Sequence, residues 1–224
     1  MQSATLGHRQ VAAQAPIGER LAFLKKVYGL LSLSVLLAAG AAWITSNNEP
    51  FKFFVMQNML MFFIVEIGAI FFTFWARKKE TLGLVALFSF TILTGITTTP
   101  LLMAYTGGTV TMAAFLTGLT FAGLSLYALT TKKDLSFLGG MLSTGLILLI
   151  VGSLLNAFFF KSAWGSFGIS CVGVFLFSGF ILYDTKNIMH RYPTDEVISA
   201  TLTLYLDILN LFIFILHILG FSKD

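Results

Sequence analysis

This sequence predicts an all-α fold: a polytopic membrane protein with seven transmembrane helices. Three observations predict it. Of 224 residues, 57% are hydrophobic and 11% charged, where a soluble domain carries roughly 25% charged. Mean hydropathy is +0.88. The apolar residues fall into runs near 27–46, 53–76, 82–105, 109–130, 135–159, 164–189 and 197–221. Each run reaches the ~20 residues a helix needs to cross hydrocarbon. The chain thus divides into an N-terminal tail, 1–26, and a seven-span domain, 27–224.

The tail is polar, with Arg9, Glu19, Arg20, Lys25 and Lys26, and reads as a flexible leader. No small-residue cleavage site closely follows the first run, so that run reads as a retained anchor. It carries Ser34, Ala38 and Ala42; the fourth carries Ala114, Gly118 and Ala122. Small residues at that spacing let membrane helices pack closely. The second run holds Glu66 and ends at Arg77. The third ends on Thr97-Thr98-Thr99-Pro100, where proline kinks a helix and threonines can take up freed carbonyls. Cys171, the single cysteine, lies in the sixth run and reads as a small buried apolar residue. Most of the 24 phenylalanines are expected to face lipid or fill between helices.

The basic residues lie mainly in short loops, so they set topology rather than a nucleic-acid face. With the N-terminus cytoplasmic, Arg9, Arg20, Lys25, Lys26, Arg77, Lys78, Lys79, Lys132, Lys133, Lys186 and Arg191 fall inside. Only Lys52, Lys161 and Lys223 fall outside, a split of eleven to three. Positive charge favours the cytoplasmic side, and seven spans then place the C-terminus outside.

Acids inside the spans carry the functional signal. Asp184 and Asp207 lie in the last two runs, equally spaced about the midpoint of the turn Arg191-Tyr192-Pro193-Thr194-Asp195-Glu196. Antiparallel helices joined there bring both to similar depth. A carboxylate at a helix centre costs at least ~2.5 kcal/mol on insertion scales. Two at one level form a candidate site and can share a proton. Glu66 could occupy the same layer as Asp207, or simply bond a neighbouring helix. Arg77 is either an interfacial anchor or close enough to the same face to reach Asp184. Asn187 and Asn210 each follow an aspartate by three residues and could bond the pair. His190 and His217 read as incidental.

Enzyme readings fit poorly. Tyr183-Asp184 matches one motif of intramembrane aspartyl proteases, but Leu204-Tyr205-Leu206-Asp207 lacks the glycines of the other. Gly165-Ser166-Phe167-Gly168 does not make a rhomboid-type serine site, and the last run has no lysine for an opsin. His and Cys show no metal-ligand spacing. A non-enzyme without a cofactor is expected.

Several stretches carry a resemblance that covers nearly all of the chain after the tail. Lys133-Asp134-Leu135-Ser136-Phe137, Leu182-Tyr183-Asp184-Thr185 and Leu204-Tyr205-Leu206-Asp207-Ile208-Leu209-Asn210-Leu211-Phe212 resemble the Bax-inhibitor motif family of membrane proteins. Glu66 with Phe74-Trp75-Ala76-Arg77 is similar to its bacterial calcium-leak members. The segment from Thr130 to Leu142 is similar to the branch that modulates the membrane protease FtsH.

This resemblance implies two three-helix layers around a central C-terminal helix. It also implies a pH-sensitive calcium leak in the bacterial inner membrane, gated by Asp184 and Asp207. Arg77 would be the latch and Glu66 the second-span acid, with Asn187 and Asn210 as supporting polar groups. Calcium prefers oxygen ligands, so Asp184, Asp207 and Glu66 are the residues expected to hold it transiently. Protease-modulator members can lack the aspartate pair, so its presence favours the leak. The expected partners are the lipid bilayer and calcium ions, with a membrane protease as an alternative and no nucleic acid. A proton-coupled transporter would use the same acids.

Overall fold

The computed structural model describes residues 11–221. Among the described residues eight α-helices form: α1 (Ile17–Ser46), α2 (Glu49–Gln57), α3 (Met59–Ala76), α4 (Glu80–Met103), α5 (Gly107–Thr130), α6 (Leu138–Leu155), α7 (Ala163–His190) and α8 (Val197–Phe221). A π-helical turn, Asn156–Phe160, extends α6. Seven of these segments are long and apolar enough to span a membrane. Their outward faces are apolar too: Phe175 is 80% exposed and Phe159 77%. Apolar surface on that scale requires lipid rather than water around it.

Helix α8 is the axis. It packs against α1 and α4 on one side and α5 and α7 on the other. Helix α3 leans on α4, and α6 on α7, which completes a layer of three spans on each side. Ala200, Leu202, Leu204, Leu211 and Leu216 of α8 are fully enclosed. One core cluster joins α1, α4 and the first half of α8. The other joins α5, α6, α7 and its second half.

Small residues decide how closely α1 and α4 approach within their layer. A Cβ on Gly95 of α4 would lie 2.2 Å from the Ala38 carbonyl of α1. The Ser34–Ala38–Ala42 stripe therefore meets α4. The stripe on α5 does not act this way: Ala114, Gly118 and Ala122 are exposed, and α5 turns Ala113, Thr117, Ser125 and Ala128 inward.

Several boundaries depart from the sequence expectation. The first helix begins at Ile17, within the leader expected over residues 1–26. Residues preceding it are fastened down as well. The Ala12 amide donates to the Tyr192 carbonyl at 2.8 Å, Val11 bridges Pro193, and Ala12 is fully buried. Arg9 and residues 222–224 lie outside the described residues. The second run is not one helix: it breaks at Asn58, whose side-chain amide turns back to the Phe54 carbonyl at 2.8 Å. Pro100 does not end α4, which continues to Met103. Thr98 and Thr99 donate to the Thr94 and Gly95 carbonyls at 2.6 and 2.9 Å. Cys171 is half-buried rather than buried.

Candidate functional site

Asp184 and Asp207 meet where α7 packs along α8. Their carboxyl groups are apposed, and the Asn187 side chain, one turn along α7, lies close to Asp184. Asp207 is 5% exposed. Among the described residues its Oδ2 is a buried oxygen with no hydrogen-bond partner. Both aspartates line a cavity of about 500 Å³ that opens between α6 and the α7–α8 pair. Leu146, Leu149, Phe177, Phe180 and Phe214 supply its apolar wall. Two carboxyls facing each other in such a wall cannot both carry charge cheaply. They can hold one proton between them, or share a cation.

The other expected members of the site are placed differently. Asn210 lines the same cavity, but its side-chain amide donates to the Leu206 carbonyl at 2.8 Å, along its own helix. Glu66 is not brought to the pair. Its Oε2 accepts from the Thr97 hydroxyl at 2.7 Å, on the α3–α4 side of the molecule. Thr97 also donates to the Thr94 carbonyl at 3.1 Å, and the Thr94 and Tyr205 hydroxyls are bonded to each other. At 3.6 residues per turn, residues two apart point to nearly opposite faces of a helix. Tyr205 and Asp207 therefore head separate polar clusters on the two sides of α8. The expected three-acid calcium set is thus not assembled. Among the described residues, no three His, Cys, Asp or Glu side chains converge on a metal-sized site.

Arg77 closes α3 at the bundle end that also holds Lys132, Lys133 and Arg191, here called the basic end. Its Nε lies 3.9 Å from Glu196 Oε2, in the turn between α7 and α8. The sequence suggested Asp184 as its partner; in this arrangement it pairs with the turn instead. In the same turn, burial pushes the Tyr192 phenol up from its ordinary value, and Thr203 Oγ1, 3.3 Å away, partly offsets this. Tyr192 stays neutral, and its backbone carbonyl holds Ala12. His190 is the last residue of α7. The His217 ring lies beside Tyr105, centroids 6.3 Å apart.

Sequence reasoning missed Tyr205, Thr94, Glu196 and the strap at residues 11–16. Tyr205 lies within the Asp207 motif, and Thr94 lies three residues before the threonine run that precedes Pro100. What tied them together was helix facing, which the sequence does not display.

A polytopic helical bundle with a pair of acids between its last two spans is the class of membrane protein that this fold and site define. Similarity to known proteins narrows it. The profile of the family described as "Inhibitor of apoptosis-promoting Bax1" matches residues 20–224, so the chain belongs to the Bax-inhibitor family of membrane proteins. It is 34% identical to protein lifeguard 4 of Mus musculus, over 94% of this chain and 88% of that one. It is 40% identical to an uncharacterized membrane protein of Vibrio cholerae, over 90% of each. A Golgi anti-apoptotic protein of Vaccinia virus is 34% identical, over 94% of this chain and 90% of its own length.

Proposed function

We propose that this protein is a pH-sensitive calcium leak, gated by the Asp184–Asp207 pair. One observation carries the reading: two apposed acids, one with an unsatisfied buried oxygen, border a cavity inside a seven-span bundle. With a proton between them, the carboxyls hold α7 against α8. Raising pH removes the proton, sets two like charges face to face, and favours separation. Two carboxylates offer calcium a sparse oxygen set, well short of the 6–8 ligands of a storage site. That suits passage rather than retention. Arg77 then becomes the cation for a freed Asp184, once it leaves Glu196.

The orientation consistent with this reading puts the basic end in the cytoplasm and the protein in a bacterial inner membrane. The protein is proposed to act without a cofactor and without enzymatic chemistry.

Calcium uptake into sealed vesicles of the purified protein tests the proposal. A deletion of residues 2–10 separates the leak from a regulator of a membrane protease, because it spares the strap that Ala12 makes on Tyr192. Uptake that survives the deletion but is lost in Asp184→Asn/Asp207→Asn supports the leak. If calcium enters no vesicles while the deletion changes turnover of a protease substrate, the regulator is the better reading. Uptake of a small solute driven by a proton gradient, without calcium movement, would instead favour a proton-coupled transporter.

A further inference from the structure

A second concavity, of about 560 Å³, lies at the basic end, away from the aspartate cavity. It opens between the end of α5, the loop at 131–137 and the last turns of α7. Its wall carries Lys132, Lys133, Lys186 and Arg191, against a single carboxylate, Asp134. Four cations less one anion leave the lining at +3. That carboxylate is already engaged, accepting the Ser136 amide and hydroxyl, both at 2.9 Å. These bonds hold the Asp134 carboxyl below its ordinary range, with help from the nearby Arg191 and Lys186. It stays charged across the neutral range, one anion against four cations.

The cations have spare donors. Lys186 is pinned by one bond, Nζ to the Thr131 carbonyl at 2.5 Å, and an ammonium has three donors. The His190 Nε2, in the same lining, is buried and without a hydrogen-bond partner among the described residues. Gly139 makes room for the Tyr183 ring at this wall: a Cβ there would lie 2.5 Å from the Tyr183 hydroxyl. The result is a concave, cation-rich site with a net positive charge, whose one carboxylate already accepts from Ser136. A phosphate anion, with several strong acceptor oxygens, matches that inventory.

The surroundings choose the source of the phosphate. The pocket sits at the ends of membrane-spanning helices, the depth at which lipid headgroups lie. Apolar side chains run down the bundle surface from it: Phe137 is 69% exposed, Leu126 63% and Met141 60%. Acyl chains need such a surface beside the headgroup, and a free phosphate does not. Basic pockets between spans on the cytoplasmic side are a known form of anionic lipid site. We propose that this pocket binds the phosphate headgroup of an anionic phospholipid, with Lys132, Lys133, Lys186 and Arg191 as its ligands.

Native mass spectrometry of the full-length protein in mild detergent tests this, with phosphatidylglycerol, phosphatidylcholine and inorganic phosphate as probes. The protein should retain phosphatidylglycerol in preference to phosphatidylcholine. Lys132→Gln/Lys133→Gln should weaken that retention by about fivefold per charge removed. The control is Lys78→Gln/Lys79→Gln, which removes equal charge from the same end but outside the pocket, and should leave retention unchanged. If the first variant does not insert, Arg191→Gln reads the same site and should lower retention about fivefold. Equal loss in the Lys78/Lys79 control would mean that only the overall charge of this face matters, and would overturn the proposal. So would retention unchanged in both pocket variants. Inorganic phosphate that displaces phosphatidylglycerol and is itself retained would assign the site to free phosphate, and the lipid proposal would fall.

Discussion

The two sides of α8 hold acids in opposite conditions. On the α3–α4 side, Glu66 accepts from Thr97 at 2.7 Å, and the cluster continues through Thr94 to Tyr205. The Tyr205 ring is edge-on to Phe90, centroids 5.9 Å apart, and 2% exposed. On the α6–α7 side, Asp207 faces another acid, keeps an oxygen unpartnered, and borders a cavity. An acid supplied with hydroxyl donors gains little by moving. Two acids that share what one proton can satisfy have an alternative arrangement close in energy. The difference assigns cohesion to the first cluster and switching to the second.

The largest effect that could break this contrast is on the pair. Asp184→Asn or Asp207→Asn removes the titrating proton while keeping a polar side chain of the same shape. Calcium uptake through the unmodified protein should rise with pH by up to about tenfold per unit, the limit for one proton. Either variant should flatten that rise. Because the pair titrates jointly, the two profiles should look alike. Two variants that keep the unmodified profile would place the sensor elsewhere.

The second cluster should answer in stability instead. Thr94→Val leaves the enclosed Tyr205 hydroxyl without its partner, which costs about 1–3 kcal/mol. Thermal unfolding in detergent should register that as a lower midpoint. Glu66→Gln keeps an acceptor for Thr97 and should cost about 1 kcal/mol or less. Neither should move the pH midpoint of calcium uptake. A shifted midpoint in Glu66→Gln would show that the two sides of α8 are coupled after all.

How much of this contrast was legible in the sequence follows from the solvent. In hydrocarbon a carboxyl is costly wherever it sits, so Glu66, Asp184 and Asp207 stood out from their apolar runs without a structure. The spans were legible for the same reason, to within a few residues at most ends. Helix facing was not. A soluble helix betrays its buried side by a polar opposite face, but here both faces are apolar. The spacing about the α7–α8 turn brought Asp184 and Asp207 together, but nothing in the chain said that Glu66 looks to Thr97 rather than to that pair. The break at Asn58 falls on the polar pair Gln57-Asn58, which the apolar residues on either side outweigh when the run is read as one span. The strap from Ala12 to Tyr192 rests on backbone groups, which every residue carries.

A smaller effect sharpens the contrast at the basic end. The Arg77–Glu196 pair is long, at 3.9 Å, and Arg77 is 36% exposed. Such pairs contribute at most about 1 kcal/mol. Glu196→Gln releases Arg77 and should favour the state in which Asp184 takes it, raising calcium uptake a few-fold at fixed pH. Arg77→Ala should lower it, with unfolding temperature nearly unchanged in both. The same sign of change in both variants would make Arg77 an anchor rather than a latch.

The smallest expected effect falls on an acid outside the membrane. Asp134 lies fully exposed in its loop, and two bonds from Ser136 hold its carboxyl below the ordinary aspartate value of 3.8. A depressed value means that its contribution to stability is present above 3.8 and is lost as pH falls through the lower folded value. Across the neutral range the group stays ionised, so it has no proton to give a switch. Asp134→Asn should therefore leave the pH profile of calcium uptake superimposable on that of the unmodified protein. Its effect on unfolding should be slight at neutral pH and should vanish in strong acid, where the unmodified carboxyl is protonated too. A displaced uptake profile in this variant would mean that charge at the loop, and not the pair between α7 and α8 alone, sets the response.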